Sequence, residues 1–201
     1  MFSALQAAAP DFFLPRATRA LSSALGVPPY RLRRAMENHL HLSRLHFSYE
    51  RRRYTLLTYA FAHASPLHLL ANMIGLLSFG HNITAALGWR PFAALYLLGA
   101  AAGGAAHLAH MRALRRDADA VGASGGLCAL AAFFMACRPR EKTLLLIFPV
   151  KNWVLLPLGV GVSAWGVAQY DGKGFVSHAG HLGGLVFGLL SAGAYLARRR
   201  F

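Results

Sequence analysis

The run Val121-Gly122-Ala123-Ser124-Gly125-Gly126-Leu127-Cys128-Ala129-Leu130-Ala131-Ala132-Phe133-Phe134-Met135-Ala136-Cys137 decides how this chain is read. It carries no charge, is built from small and apolar residues, and sets one serine near its start. Runs of this kind, close to 20 residues long, are the signature of membrane spans. Working outward, four more occur, at about 66–86, 91–109, 152–169 and 177–196. The breaks between them are short. Together they predict an all-α, polytopic transmembrane helical bundle with five spans, occupying residues 54–196 and leaving no room for a second domain.

Composition agrees. Of 201 residues, 56% are apolar and 14% charged, with a mean hydropathy of +0.40. A soluble domain carries roughly 25% charged residues. None of the seven acids falls inside an apolar run. The net charge of +14 comes from Arg and Lys in tails and loops, where such residues flank spans and touch anionic lipid head groups. Membrane lipids are therefore an expected partner. Nucleic acid is not, since that would need a basic face on a folded soluble module. Residues 1–53 hold nine of the arginines and read as a basic tail, either a targeting segment or one lying at the interface. Residues 197–201 form a second basic tail.

Five spans alternate in direction, so the first, third and fifth start on one side. His68 and Asn72 lie near the start of the first, Ser124 near the start of the third, and His181 near the start of the fifth. Polar side chains at membrane depth are costly and usually face a bundle interior or a wet cavity. Four at a common depth predict one cavity opening to one face. Short loops on the opposite face carry eight Lys/Arg and those on the cavity's face four. By the positive-inside rule the cavity then opens away from the cytoplasm or matrix, although the tail before residue 54 pulls the other way.

Three motifs carry chemistry. In Gly122-Ala123-Ser124-Gly125-Gly126, glycines let backbone approach a serine closely and leave N–H groups for a developing oxyanion. Alone, such a serine is more often a packing contact. In Gly180-His181-Leu182-Gly183-Gly184-Leu185-Val186-Phe187-Gly188, Gly184 and Gly188 form a small-xxx-small face suited to the Ser124 helix. His181 is then a base, a structural hydrogen-bonding residue, or a metal or haem ligand with His68 or His178 as the second. In His68-Leu69-Leu70-Ala71-Asn72, positions i and i+4 share a face and can aim two donors into one cavity. No acid or Lys lies within a span near Ser124, and no His-Glu-x-x-His occurs. Paired-carboxylate, Ser–Lys and zinc-protease chemistries are thereby set aside.

The ordered set resembles the rhomboid intramembrane serine proteases over residues ~54–196. Leu57 to Met73 looks like the family's second-helix signature. Gly122-Ala123-Ser124-Gly125 looks like its nucleophile motif, and His178 to Gly184 like its final-helix motif. The resemblance implies a serine endopeptidase that cleaves single-span transmembrane substrates and uses no cofactor or metal. Ser124 would be the nucleophile, His181 the base, and His68 and Asn72 the oxyanion hole. Gly122, Gly125, Gly126, Gly183, Gly184 and Gly188 would support them. Arg34 to Met36, Leu77 to Phe79 and Ser177 to Ala179 are similar to the mitochondrial presenilin-associated rhomboid-like branch. That implies the mitochondrial inner membrane, with the site facing the intermembrane space. Two features depart from the family. The first of its six helices has no counterpart before residue 54, and Cys128 stands where many members carry an aromatic residue. A non-catalytic member that binds and routes transmembrane clients is the alternative.

Overall fold

A computed structural model describes residues 22–145, 148–169 and 176–199. Most of the targeting-like residues 1–25, together with Lys173 and Arg200, lie outside the described residues. Helix α1 spans Pro29–Leu40. Five apolar helices follow: α2 Pro66–Leu87, α3 Trp89–Ala113, α4 Ser124–Cys137, α5 Asn152–Gln169 and α6 His178–Arg198. The five expected segments are thus all helical, in the expected order. Three of them, α2, α3 and α6, are long and apolar enough to cross a membrane by length and composition.

Helix α4 departs most from expectation. It has 14 residues, about 21 Å at 1.5 Å per residue, against a hydrocarbon thickness of roughly 30 Å. It starts three residues later than the apolar run does, because Gly122 turns with φ +121°, a conformation L side chains rarely adopt. The result is a short central helix ringed by longer ones. Gly125, Gly126, Ala129, Leu130, Ala132, Phe133, Phe134 and Met135 on it are all buried. The residues on either side of Ser124, Gly122, Ala123 and Gly125, are buried as well.

Packing around α4 depends on absent side chains. A Cβ on Gly184 would overlap the Gly125 carbonyl oxygen, and one on Gly188 the Ala129 carbonyl oxygen. On α3, a Cβ at Gly103 would stand 2.7 Å from the Gly180 carbonyl oxygen. Apolar side chains gain little from leaving lipid, so close backbone contact supplies the attraction. Away from the site, Ile83, Leu95, Tyr96, Leu130 and Phe133 to Met135 form the main core.

The break before α5, expected only as a polar link, holds an antiparallel hairpin, β1 Lys142–Leu145 with β2 Phe148–Lys151, registered Lys142 to Lys151. Fully buried Asn152 secures it. Its amide donates to the Arg138 carbonyl at 2.9 Å, and its carbonyl oxygen accepts from the Thr143 hydroxyl at 2.7 Å.

Residues 41–46 are not a free tail. Leu42 and Ala120 exchange backbone hydrogen bonds of 3.0 and 2.8 Å, and Leu42 is fully buried beside Tyr59 and Leu108. Asp117 accepts the Arg44 and Leu45 N–H groups at 2.7 and 2.9 Å. His41 Nδ1 lies 3.0 Å from Asp119 Oδ2. The segment clamps the loop that leads into Ser124, which puts Arg44 and Arg51 to Arg53 on the cavity's face. The charge difference between the faces disappears with them, so the positive-inside rule no longer orients the chain.

Gly188→Val should destabilise the bundle by about 1–3 kcal/mol through overpacking, seen as a lower Tm in detergent. Gly193→Ala, at a position where a Cβ meets nothing within 4 Å, should leave Tm unchanged or slightly raised.

Candidate active site

Ser124 and His181 come together across 57 residues of sequence. His181 Nε2 lies 2.8 Å from Ser124 Oγ, and both side chains are half-buried. The serine heads α4. The histidine sits in the first turn of α6, whose cap is Ser177, with Oγ accepting the Gly180 N–H at 3.1 Å. Gly184 and Gly188 hold these two helices at backbone contact, and that spacing lets an imidazole reach a hydroxyl directly.

His68 is placed by the entry to α2. Ser65 caps that helix, its hydroxyl oxygen accepting the His68 N–H at 3.0 Å, and Pro66 fits the first turn because its missing N–H would have no partner there. His68 Nδ1 accepts the Ala64 N–H at 3.3 Å. A neutral ring then carries its proton on Nε2, which faces Gly122: a Cβ built there would stand 2.9 Å from it. Only glycine both adopts the Gly122 turn and leaves room for this ring. Asn72 is buried, and its amide donates to the His68 carbonyl within the same helix at 2.8 Å. One of its two N–H groups is thus engaged in α2 itself, not with the serine.

The remaining glycines serve packing. Gly126 makes room for Tyr96, and Gly183 for Ala106 and the α3 backbone. Gly125 faces Tyr59, whose hydroxyl oxygen would lie 3.0 Å from a Cβ there. Tyr59 falls within the second-helix signature, and the structure gives it a role there. Its hydroxyl donates to the Ala100 carbonyl at 2.7 Å, and its own carbonyl accepts the Gly122 N–H at 2.9 Å. It thereby ties the serine loop to α3. His178, the other candidate ligand, packs its ring on Gly166 of α5 and meets His181 edge-on at 6.4 Å between centroids.

Asp117 and Asp119, the acids of the loop before Ser124, face the N-terminal arm instead of the histidine. His63, in the turn before α2, meets His68 edge-on at 5.3 Å. Burial, and then the neighbouring His68, lower its pKa below the ordinary value.

Known proteins are similar to this chain over the same region. The Rhomboid domain family matches residues 50–198. Rhomboid protein 1, mitochondrial, of Saccharomyces cerevisiae is 36% identical over 135 residues, 65% of this chain and 38% of the relative. RHOMBOID-like protein 12, mitochondrial, of Arabidopsis thaliana is 31% identical over 165 residues, 75% of this chain and 48% of that one. The presenilin-associated rhomboid-like protein, mitochondrial, of Mus musculus is 30% identical over 135 residues, covering 67% and 36%. The aligned part is thus less than half the length of each of these curated relatives. Their shared compartment and the apolar helices make this chain an integral membrane protein of the mitochondrion. Because the match runs through the bundle and both ends of the serine–histidine contact, the chain belongs to the rhomboid family.

Proposed function

We propose that this chain is an intramembrane serine endopeptidase working through a Ser124–His181 dyad on single-span transmembrane proteins. The observation that carries the reading is the 2.8 Å contact between Ser124 Oγ and His181 Nε2 at the head of α4. The serine hydroxyl donates to Nε2, so the imidazole is an acceptor there and can take the proton as Oγ attacks a carbonyl carbon. The same nitrogen then returns the proton to the leaving amine. Water enters the second half-reaction by the same base.

The tetrahedral oxyanion needs donors. Ser124 occupies the first position of α4, where a backbone N–H has no partner inside the helix. The positive end of the helix dipole adds to it. His68 Nε2–H, aimed at the Gly122 turn, is the second donor. Asn72 can offer the one amide N–H that α2 does not use. Orientation and a preformed oxyanion site supply most of the rate in such a dyad, so a missing carboxylate is compatible with turnover.

A substrate carbonyl inside a helix is bonded to its own i+4 N–H and shielded from attack. The scissile segment must therefore unwind, which favours small and helix-breaking residues close to the membrane face. A dyad of this kind needs neither metal nor cofactor.

Detergent-solubilised protein treated with a fluorophosphonate probe should label at Ser124, with labelling lost in both Ser124→Ala and His181→Ala. Undiminished labelling of Ser124→Ala would remove the dyad from consideration. For a cleaved single-span substrate in proteoliposomes, His68→Ala should lower kcat by about 10²–10³, the usual effect of losing one oxyanion donor. A kcat equal to wild type would show that His68 is not such a donor.

A further inference from the structure

His107 lies near the end of α3 and takes no part in the dyad. It is nonetheless 3% exposed and uses both ring nitrogens. The Ala118 carbonyl, 2.9 Å from Nε2, can only accept, so Nε2 bears the proton. Nδ1 of the neutral ring is then an acceptor, and the Ser177 hydroxyl donates to it at 2.9 Å. Ser177 Oγ in turn accepts the Gly180 N–H at 3.1 Å. A continuous chain of hydrogen bonds therefore runs from Gly180 through Ser177 and His107 to Ala118, with each member satisfied.

The two ends of that chain lie on the two segments that carry the dyad. Gly180 precedes His181, and Ala118 lies in the loop that turns at Gly122 into Ser124. Gly103 sits one turn before His107 on the same face of α3. Its lack of a side chain lets the Gly180 carbonyl approach within contact distance. Helix α3 thus holds α6 by backbone contact at Gly103 and by hydrogen bonding at His107, and the same imidazole reaches across to the serine loop.

We propose that His107 is a positioning residue that keeps the Ser124 loop and the His181 helix in register with each other. The proposal rests on the dyad reading given above. The two N-termini that carry the dyad are far apart in sequence, and their separation decides whether Oγ and Nε2 meet. A misplacement of about 1 Å can cost roughly 100-fold in rate.

The test uses the full chain in proteoliposomes, with His107→Leu, His107→Gln and wild type compared by cleavage of a single-span substrate and by amide hydrogen exchange. Leucine removes both hydrogen bonds, whereas glutamine can still donate and accept. His107→Leu should lower kcat roughly 10- to 100-fold with KM within about twofold, since the residue touches no substrate. His107→Gln should recover most of the loss. In His107→Leu the amides of residues 117–123 and 178–182 should exchange faster together, while those of α2 and the hairpin keep their wild-type rates. Wild-type kcat in His107→Leu, or faster exchange in only one of the two segments, would overturn the proposal. A wild type inert to substrate and to the fluorophosphonate probe, with the two segments still loosening together in His107→Leu, would remove the protease reading and keep the coupling. A cleaving wild type whose two segments do not respond together would do the opposite.

Discussion

The carbonyl oxygens of Gly125 and Ala129 occupy the space that side chains at positions 184 and 188 would fill. From that backbone contact between α4 and α6 the rest of the site follows. Two helices at ordinary separation, with leucines between them, would hold Ser124 and His181 too far apart for a direct hydrogen bond. In lipid the usual gain from burying large apolar groups is small, so the helices gain contact by removing side chains at the seam. The same substitution of backbone for side chain recurs at Gly103 against Gly180, which brings α3 into the cluster. Five glycines on three helices thus meet at one seam, and Ser124 and His181 are mounted on it.

The shortness of α4 is the second constraint. A helix of 14 residues would leave its ends unsolvated in hydrocarbon if it stood alone, and unsatisfied backbone groups are costly there. Its longer neighbours enclose it, and the loop at its head satisfies its own polar groups through protein. The Gly122 N–H goes to Tyr59 and the Ala118 carbonyl to His107, while Ala120 pairs with Leu42. A helix start that is sunk in the bundle and lined with hydrogen-bonded backbone is a place where a hydroxyl and an imidazole can coexist with lipid a few residues away.

The N-terminal arm completes that lining. Its basic composition reads as a targeting or interfacial tail, yet Leu42 is fully buried and Asp117 receives two backbone N–H groups from it. The serine loop carries Asp117 and Asp119, and the arm is where those two charges find partners. Both carboxylates are thereby engaged with the arm and not with His181. It also brings the arm's arginines to the site's face, which changes the balance of charge between the two faces.

The apolar runs alone determined that the chain is a helical membrane bundle, because hydrocarbon admits few other ways to satisfy a backbone. Alternation of direction then determined that His68, Asn72, Ser124 and His181 share a face, since an odd number of crossings separates no two of their helix starts. Helix ends were less legible. Gly122 read as a support of the serine motif, and its positive φ, with which α4 begins late, was not legible. The hairpin was hidden in a break too short to show period-2 patterning. The arm's docking was invisible because one buried leucine in a basic stretch leaves no periodic trace. Nothing in the sequence around His107 marked it. Its role depends on where Ser177 and Ala118 fall in space, and contacts between residues 11 and 70 positions away exist only once α3 and α6 have packed.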